Sequence, residues 1–113
     1  MLVRRYRLTK RNDFKKVFQR GKKSFGKLFS IRHLVNDLEN PRIAVVVSNK
    51  VSKRAIVRNK IKRRIRAVVK NNLADVSDNY DVIISALPPS VDVDYDTLKV
   101  ELINALKQNN ILK

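Results

Sequence analysis

Residues 53–70 read KRAIVRNKIKRRIRAVVK. The stretch holds nine basic residues, Lys53, Arg54, Arg58, Lys60, Lys62, Arg63, Arg64, Arg66 and Lys70, and no acidic one. It also carries a helical apolar pattern: Val57, Ile61, Ile65, Val68 and Val69. At about 100° per residue these five fall in one stripe, while Asn59, Arg63, Arg66 and Lys70 land near the opposite side. The pattern predicts a helix with one face for a core and one densely cationic face. Arg58, Lys62 and Arg66 step four residues apart down a flank, and like charges at that spacing destabilise a helix by about 0.2–0.5 kcal/mol per pair. No carboxylate within the helix relieves them; an external polyanion does. The plainer reading, a solvated surface helix, ordinarily mixes its signs.

Buried-strand patterns flank this helix. Residues 42–48 (RIAVVVS) form an almost continuous apolar run, as in a central strand covered on both faces. Residues 80–86 (YDVIISA) read as another buried strand, reached through the polar connection 71–79. Leu87, Pro88, Pro89 and Ser90 then break the chain. A last amphipathic helix starts near Asp94, a plausible N-cap, with Tyr95, Leu98, Leu102, Ala105 and Leu106 on its core side.

Upstream, residues 28–35 (LFSIRHLV) alternate as a strand. Pattern alone leaves open which face is buried: Leu28, Ser30, Arg32 and Leu34, or Phe29, Ile31, His33 and Val35. Residues 22–27 (KKSFGK) and 36–41 (NDLENP) read as turns, and 1–8 as an extended basic lead-in. Thr9 is the candidate N-cap of a helix running to about Arg20, with Gly21 placed to end it. Phe14, Val17 and Phe18 share one face of that helix, among Lys10, Arg11, Lys15, Lys16 and Arg20. The two rings suit a core; set among so many cations, one of them at the core's edge also suits stacking on an unpaired base.

The order is helix, two strands, long helix, strand, helix. That is an α/β or α+β two-layer domain, one small sheet with helices packed on it, and 113 residues make a single domain, 1–113. The hydrophobic fraction of 43% suits a packed core. No apolar run approaches the roughly 18 residues of a membrane span. There is no cysteine for a disulfide or a thiolate metal site, and the single histidine, His33, has no partner histidine. These features fit a cytoplasmic protein. The formal charge of +16 is uneven: residues 1–70 carry +20 (23 Lys/Arg against three acids) and residues 71–113 carry −4 (three Lys against seven acids). Such one-sided excess marks a nucleic-acid partner, whereas a membrane surface calls for a broad apolar stripe that the basic faces lack.

The chain has only two glycines, Gly21 and Gly26, so it has no glycine-rich phosphate loop. It lacks metalloprotease and nucleophile-elbow motifs and any convergent carboxylate cluster in the basic half. Asp92, Asp94 and Asp96 lack the glycine and terminal glutamate of a calcium loop. The sequence therefore reads as a binder with no self-contained active site, no metal ligands and no small-molecule substrate.

The segment 58–66, RNKIKRRIR, resembles the signature of the bacterial ribonuclease P protein component. The likeness extends to LTKRNDFKKVFQRGK (8–22), PRIAVVVSNKVSKRAIVRNK (41–60) and YDVIISALP (80–88), in the family's order. The resemblance implies an α+β sandwich with a small mixed sheet and the basic helix in a left-handed βαβ crossover, an exception to the right-handed rule. It implies a ribonucleoprotein endonuclease, a hydrolase that removes the 5′ leader of precursor tRNA. The catalytic centre would lie in the ribonuclease P RNA with its bound Mg²⁺, and this chain would supply no catalytic residue.

Carried over by position, Arg58, Asn59, Lys62, Arg63 and Arg66 match the signature and would contact RNA or organise its metal. Lys53, Arg54, Lys60 and Lys70 would extend that RNA-binding face. Phe14 and Phe18 match the aromatics of a leader-binding cleft, which Arg11, Lys15, Arg32 and Lys50 would line. Two positions depart from the family pattern. Lys60 stands where an arginine is usual and loses the planar fork; Arg32 stands where many members carry a tyrosine. A reading from another class is a structural RNA-binding protein of ribosomal or ribosome-assembly type, with no catalytic role. A self-sufficient nuclease lacks the residues it would need.

Overall fold

The computed structural model describes residues 3–77 and 79–113. Its elements run α1 (Arg11–Arg20), β1 (Lys22–Phe25), β2 (Phe29–Val35), β3 (Arg42–Val46), α2 (Ala55–Asn71), β4 (Tyr80–Ala86) and α3 (Tyr95–Gln108). The strands make one mixed sheet in the order β1-β2-β4-β3. β2 pairs antiparallel with both β1 and β4, and β3 lies parallel to β4. Parallel neighbours need a crossover, and α2 supplies it. This is the α+β sandwich with a small mixed sheet.

The basic helix forms for the reason its stripe gave. Ile61, Ile65, Val68 and Val69 are buried, and Val57 packs beside them. With α3's Leu98, Leu102 and Leu106 they cover Phe29, Ile31, Ile43, Val82 and Ile84 on one sheet face. Each such side chain, fully buried, contributes about 1.5–3 kcal/mol. α1 lies on the other face, where Val17 and Leu8 cover Ala44 and Ile83. The open alternation of β2 is thereby resolved: Phe29, Ile31 and His33 point into the main core, and Arg32 and Leu34 point toward α1.

Asp94 caps α3 as its position suggested, its Oδ1 accepting the Thr97 N–H at 2.8 Å. Other boundaries differ. The expected turn at 22–27 contains β1, which is followed by a tight hairpin closed by the Gly26 N–H on the Phe29 carbonyl (2.7 Å). Backbone pairing to β2, not side-chain burial, holds this strand. The lead-in includes a short 3-10 turn at Arg4–Tyr6. Arg7 then bridges β3, with the Leu8 N–H on the Ile43 carbonyl (3.0 Å). That tie holds the chain extended, so Lys10 and not Thr9 is the residue before α1, and it makes no side-chain cap. α2 starts at Ala55, because Ser52 Oγ accepts the Arg54 N–H (3.2 Å) in a turn that delays the helix. β3 ends at Val46, and Val47 and Val51 enter the core beyond it.

Gly21 ends α1 by fit, not by a left-handed turn. Its φ is −74°, but a Cβ there would lie 2.4 Å from the Val17 carbonyl oxygen and 2.9 Å from that of His33.

Candidate nucleic-acid interface

α2 exposes Asn59, Lys60, Arg63 and Lys70 and leaves Arg58, Lys62 and Arg66 half-buried. Lys53 and Arg54, both exposed, precede its first turn. Arg58 donates to the Ser52 carbonyl (3.0 Å), which fixes the guanidinium at the start of the helix. Arg64 leans the other way, toward the Val93 carbonyl (3.4 Å) before α3. Among the described residues the only ion pairs are those of Arg42 with Asp13 and Asp81. Among the described residues, no cation of α2 has a carboxylate partner.

The aromatic pair divides. Phe14 is half-buried against the Leu8–Val17 cluster, whereas Phe18 is 47% exposed. The Arg32 guanidinium lies 4.5 Å from the Phe18 ring centroid, with Nη1 on the Phe18 carbonyl (3.4 Å). Arg32 therefore stacks on the neighbouring ring. Arg11 and Lys15 are exposed on the same flank of α1. Lys50 is exposed in the turn after β3, its N–H on Ser48 Oγ (3.3 Å).

Arg66 joins the two regions. It borders a concavity of about 460 Å³ on the outer side of α2, with Arg63, Ala67, Lys70 and Asn71. It also borders one of about 220 Å³ that contains Phe14, Thr9, Ile43, Val45 and Arg7. The cationic helix and the aromatic flank of α1 are thus two ends of one surface wrapped around the β3 edge. Arg7 belongs to this junction and was missed from sequence, since only its bridge to Ile43 brings it there.

Also unread from sequence is the fastening of α1. Arg42 on β3 holds Asp81 on β4 and Asp13 on α1. The Asp81 hydrogen bonds are the main cause that raises the Arg42 pKa above its ordinary value, with partial burial opposing. The isolated acids Asp13 and Asp81, set in basic and apolar runs, were the available signal. His33 takes no part in the interface. It is buried, its Nδ1 has no hydrogen-bond partner, and its ring meets Tyr80 edge-on at 5.5 Å. Burial first, and the Lys22 charge second, lower its pKa.

No group of three or more His, Cys, Asp or Glu among the described residues could hold a metal ion. Among those residues no helix is long and apolar enough to cross a membrane.

A family model described as Ribonuclease P matches residues 2–110. The ribonuclease P protein component of a Cyanothece species is 36% identical over 128 residues, spanning 99% of this chain and 98% of its own length. That of Listeria monocytogenes is 35% identical over 113 residues, spanning 99% and 94%. The fold matches the RNase P protein of Staphylococcus aureus with a TM-score of 0.89 at 28% identity, covering 96% of this chain and 98% of that one. For the Thermotoga maritima RNase P protein the TM-score is 0.82 at 28% identity, with 90% and 96% covered. A basic helix crossing between parallel strands, an aromatic flank beside it and these matches together place the chain in the ribonuclease P protein family, as a subunit of that tRNA-processing ribonuclease and a partner of its RNA.

Proposed function

We propose that this chain, as one RNA-binding domain, binds the catalytic RNA through α2 and the 5′ leader of precursor tRNA along α1 and β2. The observation that carries the reading is Arg66, shared between the cationic concavity and the Phe14 concavity. Arg58, Asn59, Lys60, Lys62, Arg63, Arg66 and Lys70, with Lys53 and Arg54 ahead of them, neutralise phosphates of the catalytic RNA. Phe14, Phe18, Arg11, Lys15, Arg32 and Lys50 hold the leader. Two RNAs that repel each other are thereby brought together, and holding the substrate in place lowers the barrier to cleavage. Backbone contacts carry no base code, so leader sequence matters little.

The catalytic centre lies in the RNA, in the cytoplasm where precursor tRNA is made. Mg²⁺ belongs to that RNA. The donor set here does not fit the ion, since the interface is cationic and the carboxylates of Asp13 and Asp81 are bonded to Arg42.

The test is cleavage of a precursor tRNA at low Mg²⁺ by the protein alone, a bacterial ribonuclease P RNA alone, and both, with an Arg58→Ala/Lys62→Ala variant alongside. Stimulation only in the mixture, weakened in the variant, is expected. Cleavage by the protein alone would place an active site in this chain. No stimulation with a cognate RNA would leave a structural RNA-binding protein.

A further inference from the structure

The β1–β2 register extends the face of the sheet that bears α1. Lys23 lies opposite Arg32 and Phe25 opposite Ser30, and cross-strand partners share a face. Arg32 turns its guanidinium onto Phe18 of α1 on that same face. A row therefore runs from α1 to the sheet edge: Phe18, Arg32, Lys23, Phe25. Its outer end repeats the chemistry of its inner end, because the Lys23 Nζ sits 4.3 Å from the Phe25 ring centroid. Phe25 is 70% exposed, more than Phe18. No core contact accounts for a large apolar ring on a four-residue edge strand. The segment from Arg20 to Lys27 contains no acid, and none of its cations forms an ion pair among the described residues.

We propose that Phe25 and Lys23 form an additional base-stacking position for single-stranded RNA, lateral to Phe18 and Arg32. The inference rests on the leader-binding reading above and deepens it. The ring face opposite Lys23 accepts any base, and the lysine over the other face holds the adjoining phosphate. An RNA strand lying on Phe18 thus has a second ring to reach across the hairpin. Charge complementarity selects a polyanion, and the exposed ring selects one that carries flat bases. An acidic peptide answers only the first requirement.

The chain has no tryptophan, so Phe25→Trp introduces a single indole reporter. The full chain carrying it is titrated with an oligoadenylate, an abasic strand of equal length and polyglutamate. Quenching of the indole by the oligoadenylate alone is expected, and equal quenching by all three overturns the inference. In parallel, oligoadenylate affinity is measured for the parent chain and for Phe25→Ala, Phe25→Leu, Phe25→Tyr and Phe18→Ala, each checked for fold by circular dichroism. Loss of about tenfold in Phe25→Ala and Phe25→Leu, with Phe25→Tyr near the parent, is the expected result. If Phe18→Ala binds more weakly while Phe25→Ala matches the parent, this position fails and the leader groove stands. If the parent chain binds no oligoadenylate, the leader reading fails and takes this one with it.

Discussion

Arg42 grips Asp81 with two parallel hydrogen bonds, Nε to Oδ1 at 2.8 Å and Nη2 to Oδ2 at 2.7 Å. The third nitrogen, Nη1, reaches Asp13 on α1 at 3.0 Å. Asp81 is only 5% exposed, and Asn36 adds a bond to Oδ1 at 2.8 Å. One side chain thus joins two strands to the helix that bears Phe14 and Phe18. Removing a partner from a buried pair leaves a charge without compensation. Arg42→Ala is expected to cost about 3 kcal/mol in urea unfolding. Arg42→Lys keeps the charge without the planar fork and recovers only part of it.

Gly21→Ala tests the close approach at the end of α1. The added methyl meets two backbone carbonyls, at 2.4 and 2.9 Å, and backbone does not swing aside as a side chain does. A loss of about 1–3 kcal/mol is expected, seen as a lower urea midpoint with an unchanged slope.

His33 makes stability depend on pH in the mildly acid range. Its folded pKa lies below the ordinary 6.5, so the unfolded chain binds the proton more readily. The contribution of the neutral ring is whole above the unfolded value and is lost as pH falls through 6.5 toward the folded value. Substitution by phenylalanine is expected to shrink the drop in Tm between about pH 7.5 and about pH 5.5. An unchanged drop in His33→Phe would assign the dependence elsewhere.

Binding of the ribonuclease P RNA is expected to weaken steeply with salt, since each neutralised phosphate releases counterions. Arg63→Ala removes an exposed cation that has no ion-pair partner among the described residues. Filter binding over a range of KCl should show the log–log slope reduced by about one. An unchanged slope places Arg63 off the RNA.

α2 begins against its own dipole. Arg54 occupies the N-cap without a side-chain cap, and its first turn has no acid. Arg54→Asp supplies both the cap and the favourable charge, and is expected to stabilise the fold by about 1 kcal/mol in denaturant unfolding. The same variant should bind RNA more weakly. A chain made both more stable and less able to bind would show that the uncapped start of α2 serves the RNA.

The legible parts were those whose physics is local. α2 announced itself through a long apolar stripe, β3 and β4 through runs of branched residues, and α3 through its Asp94 cap. Phe14 and Phe18 could be placed on one face, but only packing separated the half-buried ring from the exposed one. β1 escaped because its side chains are mostly exposed and its pairing partner, β2, supplies its order. Thr9 lost the cap to a tie between Leu8 and the distant Ile43. The Arg42 network joins residues 29 and 39 positions apart, a relation no window of periodicity contains.

Among the described residues the sheet stops at β1, with no further strand on its outer backbone. Such an edge invites a second copy to pair with it. Here the invitation is withdrawn by Lys22 and Lys23, both exposed, which would meet their own counterparts across the new seam. If Lys23 holds RNA as proposed, colloidal behaviour and RNA affinity become one property on this edge. A substitution of Lys23 made to weaken the proposed RNA contact also removes half of the guard against polymerisation, and a polyanion that neutralises both lysines must cover the edge as well.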